Sequence, residues 1–283
     1  MARLFISLEK NRIFLSDRRL SKYIEFSSIL SSSEAIILEH AIENIEVNDR
    51  IKKLFNKMFL KIQGNIGKYL KLPKAEEIFI TYDVYLHPSL LQSLKGNYYL
   101  IPPSVILLSF PTARSIVDGF LIYSSMEYLE TMEIHPEYTQ IKIKDINTVP
   151  YAVAQNIINT FELPQSEIDE LIKYIKENMF TDKENNDLLL PVRDAFISIN
   201  TLNFVIEKYI RNLFHREIFP YLSEKSKLVF AGEFWIGNKS IAKSLFKNVQ
   251  FINIKTIADA SDTFLNYIDK DPIFYNSLVK FFT

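Results

Sequence analysis

Gly232 and Gly237 bracket Glu233, Phe234 and Trp235 in VFAGEFWIGNKS, directly after the apolar run Leu228–Ala231 and directly before Asn238, a helix-capping residue type. A strand that runs into a glycine turn and then a capped helix sets backbone N–H groups beside an anion such as a nucleotide phosphate. The full stretch, Lys227–Thr263, reads as that strand, the glycine loop, a helix capped by Asn238, a second strand over Val249–Ile254 and a helix beginning near Asp259. Trp235 is the only tryptophan, and with Phe234 it either stacks on a bound ring or fills the space a ring would take.

The other chemistry-bearing residues are scattered. His40, His87, His135 and His215 lie far apart, none in an HExxH pattern, and there is no cysteine. Thiolate metal sites, disulfides and a cysteine nucleophile are therefore excluded, and a histidine metal site would need convergence in the fold. Arg211 and His215 fall one turn apart near a helix end, where cations suit the negative pole of the helix dipole without any catalysis. No Gly-x-Ser-x-Gly elbow supports a serine hydrolase. Lys52, Lys53, Lys57 and Lys61 form the outer face of an amphipathic helix. They suit a nucleic-acid backbone or an acidic partner, while the plainer reading is a solvated face.

The elements that must position these residues come from a chain of 283 residues, enough for two domains, 48% hydrophobic and with a net charge of −1. That balance gives no overall attraction to nucleic acid or an anionic membrane. Glu9 and Lys10 interrupt the apolar N-terminus, and no run approaches the roughly 18 apolar residues of a membrane span. A soluble, cytoplasmic protein is expected.

Three short strands, Arg3–Leu8, Arg12–Ser16 and Lys22–Phe26, read as an antiparallel meander. A helix capped by Ser33 follows over Glu34–Ile45, then a second over Asn48–Leu70, a buried strand Glu77–Tyr82, a short helix from Pro88, a strand Tyr98–Ile101 and a helix Ser104–Phe110. After Pro111 and Thr112 the pattern begins again. Strands Ser115–Tyr123, Glu127–Ile134 and Tyr138–Ile143 lead to helices Pro150–Phe161 and Pro164–Asn178, a polar loop Thr181–Asp187 and a long helix Ile197–His215. Lys227–Thr263 and a terminal helix from Pro272 complete the order. The element order is duplicated although the residues are not. The expectation is an α/β protein of two domains, each a three-strand meander plus βαβα: residues 1–112 joined by 271–283, and residues 113–270.

This order resembles the actin-like ATPase superfamily, which includes heat-shock chaperone ATPase domains, sugar kinases, FtsA and PilM, and archaeal actin-like proteins. LFISLEKNRIF (Leu4–Phe14) sits where that superfamily has its first phosphate loop, and LIYSSMEYLETMEI (Leu121–Ile134) where it has the second. YLIPPSVILLSF (Tyr99–Phe110) is similar to the segment closing the first domain, and VFAGEFWIGNKSIAKSLF (Val229–Phe246) to the adenosine motif. The resemblance implies an RNase H-like duplicated fold and a nucleotide cleft touching Ser7, Lys10, Ser124, Ser125, Gly232, Glu233, Trp235 and Gly237.

The same comparison implies that the cleft is degenerate. Ser7 and Tyr123 stand where the superfamily has the metal-ordering acids. Leu8, Glu9 and Lys10, and Ser124, Ser125 and Met126, stand where it has glycines that let backbone approach phosphate. Phosphoryl transfer depends on positioning and charge neutralisation, so hydrolysis is not expected, no cofactor is required, and Trp235 is read as filling space. The function implied is a pseudo-ATPase scaffold acting through protein–protein contacts or self-assembly. An ATP-binding filament former using Lys10, Ser124 and Ser125 as phosphate contacts is the alternative. A nucleic-acid-associated protein using Lys52, Lys53, Lys57 and Lys61 is the third reading.

Overall fold

In the computed structural model, which describes residues 2–72, 74–84, 86–94, 98–125, 129–137, 139–144, 148–168, 170–172, 189–192 and 195–282, two sheets of the same design are built in turn. Arg3–Leu8 (β1), Arg12–Ser16 (β2) and Ser21–Glu25 (β3) pair antiparallel. Glu77–Tyr82 (β4) then joins β1 in parallel and Tyr98–Leu100 (β5) joins β4, giving the order β3-β2-β1-β4-β5. In the second sheet Gly119–Ser124 (β6), Leu129–Ile134 (β7) and Thr139–Lys144 (β8) repeat the meander. A short hairpin, Leu189–Val192 (β9) with Ala195–Ser198 (β10), comes next in the chain. Lys227–Ala231 (β11) and Val249–Ile252 (β12) add in parallel to give β12-β11-β6-β7-β8. Each sheet thus runs 3-2-1-4-5 with the same strand senses, which is the duplication expected from element order.

The chain divides into two compact units, residues 1–111 with 256–283 and residues 112–255. The sequence reading assigned 256–270 to the second domain, whereas the structure packs it on the first. The helix Ser261–Lys270 seats Phe264 against Phe5 of β1 and Phe79 of β4, with ring centroids 5.9 and 5.5 Å apart. Leu4, Ile6 and Leu8 on the opposite face of β1 are buried as well, so both faces of this sheet are covered. In the second unit, Phe120, Phe214, Phe230, Phe234, Trp235 and Phe246 form one core with Val153, Ala154, Ile157 and Ile158 of the helix Thr148–Phe161.

Local chemistry explains where element bounds depart from expectation. The first helix, α1 (Ser32–Glu43), is capped by Ser31 and not Ser33, and the Glu34 carboxylate accepts the Ser31 N–H at 3.2 Å. The second, α2 (Asp49–Gly64), starts at Asn48, whose Oδ1 accepts the Ile51 N–H at 3.0 Å. It stops short of Leu70 because Asn65 leaves the helical region and its side chain bonds the Lys61 carbonyl, so Ile66–Leu70 is a separate turn of helix. β6 begins at Gly119 and not Ser115, after a helical turn at Pro111–Arg114. The hairpin β9–β10 was not expected, and the long helix after it covers Ile199–Glu217. β12 ends at Ile252, two residues early, and the helix expected near Asp259 begins as a 3₁₀ turn, Ile257–Ala260. Residues 169 and 173–178 of the predicted helix 164–178 and the whole loop 181–187 lie outside the described residues. Among the described residues no helix is long and apolar enough to cross a membrane.

Candidate functional site at the strand ends

In the first unit the candidate residues sit where β1 and β4 end. Ser7 pairs in register with Thr81, so their side chains share one face of the sheet. Both are fully buried, and neither hydroxyl has a hydrogen-bond partner among the described residues. Asp83, also buried, follows two residues after Thr81, and its N–H donates to the Leu8 carbonyl at 2.8 Å. Thr81 and Asp83 went unnamed at the sequence level. The only signal for them was a pair of polar residues in and just beyond an otherwise apolar strand, EIFITYDV.

The turn that follows β1 is closed on itself. The Glu9 N–H donates to the Arg12 carbonyl at 3.0 Å, making a tight hairpin out of the segment where the superfamily has a phosphate loop. The Glu9 carboxylate accepts from Arg12 Nε at 2.6 Å, and the Arg12 guanidinium lies 4.2 Å over the Tyr23 ring. Burial, and after it the charge of Glu9, push the Tyr23 phenol up to about 12. Lys10 extends the other way and pairs with Glu43 at 2.8 Å.

In the second unit the sequence-predicted residues Ser124 and Gly232 are brought together. Gly232 ends β11 with φ 100°, and a Cβ there would overlap the Ser124 carbonyl at the end of β6. Gly119 does the same at the other end of the pair, with φ 144° and a Cβ position that overlaps the Lys227 carbonyl. These two glycines let β6 and β11 close on each other, which is a packing requirement. Ser124 donates to the Ser125 carbonyl at 2.9 Å, and both serines are buried. Tyr123, in the place of an acid, is fully buried.

The segment after Gly232 is a short helix, Glu233–Gly237, where the sequence suggested a loop. Its first N–H, at Glu233, donates to the Lys255 carbonyl at 2.8 Å. Trp235 is 1% exposed and packs on Phe230 and Phe234 at 4.4 and 4.7 Å, with its indole N–H lacking an acceptor among the described residues. Asn238 occupies the N-cap position of the next helix, Lys239–Leu245, as expected, but its side chain makes no capping bond there. Its buried amide donates back to the Phe234 carbonyl at 2.8 Å, stitching the two short helices together.

The remaining candidates are distributed over the surface. Lys57 pairs with Glu34 at 2.6 Å and Lys61 donates to the Ile29 carbonyl at 2.9 Å. The side chains of Lys52 and Lys53 have no partner among the described residues. Arg211 is paired with Glu207 at 2.7 Å, and the His215 ring rests on Phe219 at 5.9 Å. No group of three or more metal-ligating side chains exists among the described residues.

No family model and no curated relative matches the chain. Solved structures do. A non-polymerising mutant of MamK bound to AMPPNP aligns with a TM-score of 0.53 at 11% identity, covering 94% of this chain and 98% of that one. A MamK double helical filament aligns with a TM-score of 0.51 at 12% identity, covering 95% and 99%. The ethanolamine utilization protein EutJ from Carboxydothermus hydrogenoformans gives 0.45 at 9% identity over 92% and 89%. The two MamK alignments span nearly the whole of both chains. Together with two sheets of identical strand order, they show that this chain carries the fold of the actin-like ATPase superfamily at long sequence distance.

Proposed function

We propose that this protein acts as a non-catalytic actin-like scaffold, working through contacts with copies of itself or with a partner protein. The observation that carries the reading is the state of the strand-end turns. The backbone donors of Glu9 and Glu233 are engaged inside the chain, Lys10 is paired with Glu43, and neither position 7 nor position 123 is an acid. Phosphoryl transfer relies on donors and charges aimed at the phosphates and on a positioned metal ion, and these turns direct theirs elsewhere. The MamK filament among the structural matches supports assembly as the mode of action. A cytoplasmic location fits a sequence without cysteine.

Light scattering against protein concentration, with and without ATP and magnesium, tests this. Assembly above a threshold concentration that nucleotide leaves unchanged, with no phosphate released, is the expected result. Assembly that requires ATP, or steady phosphate release, overturns the non-catalytic reading.

A second reading, an ATP-binding filament former, is favoured by one feature: Ser7 and Thr81 offer two unpartnered buried hydroxyls among the described residues, and buried Asp83 follows two residues after Thr81. It requires a thermal shift with magnesium-ATP that Ser7→Ala and Asp83→Asn both remove while the unliganded melting curves stay cooperative.

A further inference from the structure

A groove of about 830 Å³ runs along α2 beside the segment Gln92–Leu94, on the first unit alone. Its rows follow helical spacing. Lys53, Lys57 and Lys61 form one line, and Lys52, Asn56 and Leu60 the next. Asn56 fixes the second wall by donating to Ser93 Oγ at 3.3 Å. Lys57 and Lys61 are held toward Glu34 and the Ile29 carbonyl, which leaves Lys52 and Lys53 as the ammonium groups without an internal partner among the described residues. Leu60 is 55% exposed in the same groove, and Asp49 is the one acid among the described residues that line it.

These features select an occupant. The groove is positive on a chain of net charge −1, so the field is local and suits a short acidic ligand. Among the described residues no aromatic side chain lines it, which offers nucleic-acid bases no platform there, and two free ammonium groups make too short a row to follow a phosphate backbone. The exposed leucine beside the lysines suits a mixed segment, part carboxylate and part apolar. From Lys53 to Lys61 the helix rises roughly 12 Å, which about four residues of extended chain would span.

We propose that this groove captures an extended acidic segment of a partner protein, with carboxylates on Lys52 and Lys53 and an apolar side chain on Leu60. The proposal goes beyond the scaffold reading and does not depend on self-assembly.

The test is selection of a displayed random peptide library on the full chain, followed by binding measurements on the enriched peptides as synthetic, fluorescent probes. Expected are peptides with two or more acidic residues and one apolar residue within about four positions. Their binding should weaken with salt and fall by about tenfold or more in Lys52→Glu/Lys53→Glu. Leu60→Gln should weaken binding without changing its salt dependence. Lys53 is exposed and Lys52 half-buried in the first half of α2, where glutamate suits the helix dipole, so the double variant should keep its melting curve.

Enriched peptides without acidic excess, or undiminished binding to the double variant, overturn the proposal. So does lysine-dependent binding of a single-stranded DNA probe in place of the peptides. If the double variant also loses concentration-dependent light scattering, the occupant is a second copy of this chain and the assignment to a partner fails. Unchanged scattering with lost peptide binding upholds the groove independently of the assembly reading.

Discussion

Ser7 and Thr81 stand side by side on β1 and β4, and both carry a buried hydroxyl with no hydrogen-bond partner among the described residues. A buried polar group without a partner costs stability, and removing the group relieves that cost. Thr81→Val is expected to raise the urea midpoint by an amount worth about 1 kcal/mol. A loss of similar size would mean that a bound water or ligand satisfies the hydroxyl, and would move the weight of argument to the nucleotide-binding reading.

Gly232 and Gly64 make a contrasting pair. Gly232→Ala must place a Cβ on the Ser124 carbonyl at a φ that L-residues avoid, and is expected to cost about 2 kcal/mol or more. Gly64 has open space at its Cβ position in the last turn of α2, so Gly64→Ala should be neutral or stabilise by up to about 1 kcal/mol. Equilibrium unfolding of the two variants separates them. Equal effects would remove the packing role assigned to Gly232.

Glu77 ties the C-terminal segment to the first sheet. It is buried, accepts from Arg3 Nε at 2.6 Å and also accepts from the Tyr275 hydroxyl, while Arg3 and Arg18 both pair with Asp269. Glu77→Gln removes one of the two carboxylates that face the part-buried Arg3 guanidinium, with an expected cost of about 2 kcal/mol. Limited proteolysis should then show earlier cleavage within 261–282. A variant of unchanged stability would show the network to be incidental.

Glu34 provides a pH signature. The hydrogen bond from Lys57, followed by those from Ser31, holds its carboxyl at about 2, below the ordinary 4.5. Because the folded value is depressed, the contribution to stability is present above about pH 4.5 and is lost as pH falls through about 2. Carbon-detected NMR titration should find Glu34 low in the native chain and shifted back toward 4.5 in Lys57→Met. An unmoved titration would mean that Lys57 is not held at Glu34 and is free to join the groove.

Much of the fold was legible because the features that specify it are local. Two short β-type runs on either side of the Glu9–Asn11 turn define the β1–β2 hairpin, and EIFITY is apolar enough to be read as a buried strand. Pro111 marked the change of unit. Errors arose where two similar residues compete, as with Ser31 and Ser33 for one cap, or where a break is made by a side chain folding back, as at Asn65 and Asn238. Pro191 concealed the β9–β10 hairpin, since proline argues against a paired strand. At the candidate site, Gly232 stood out as a glycine that could face a phosphate, and the structure sets it against the Ser124 carbonyl. A glycine required by a neighbouring carbonyl and one required by a phosphate look alike until the neighbour is placed. Thr81 and Asp83 were missed because register, not sequence proximity, sets them beside Ser7 and Leu8.

The return of residues 256–283 to the first unit has a consequence for how the molecule is made. The whole second unit is an insertion between two parts of the first. A chain emerging in order can complete the sheet β12-β11-β6-β7-β8 while Phe5 and Phe79 still lack Phe264 to cover them. The first unit must close through contacts between residues more than two hundred positions apart, such as Arg3 with Asp269, which is the slow, entropy-limited kind of closure. The half that starts first is therefore the half that finishes last. During that interval its aromatic sheet face is the surface most in need of protection from aggregation.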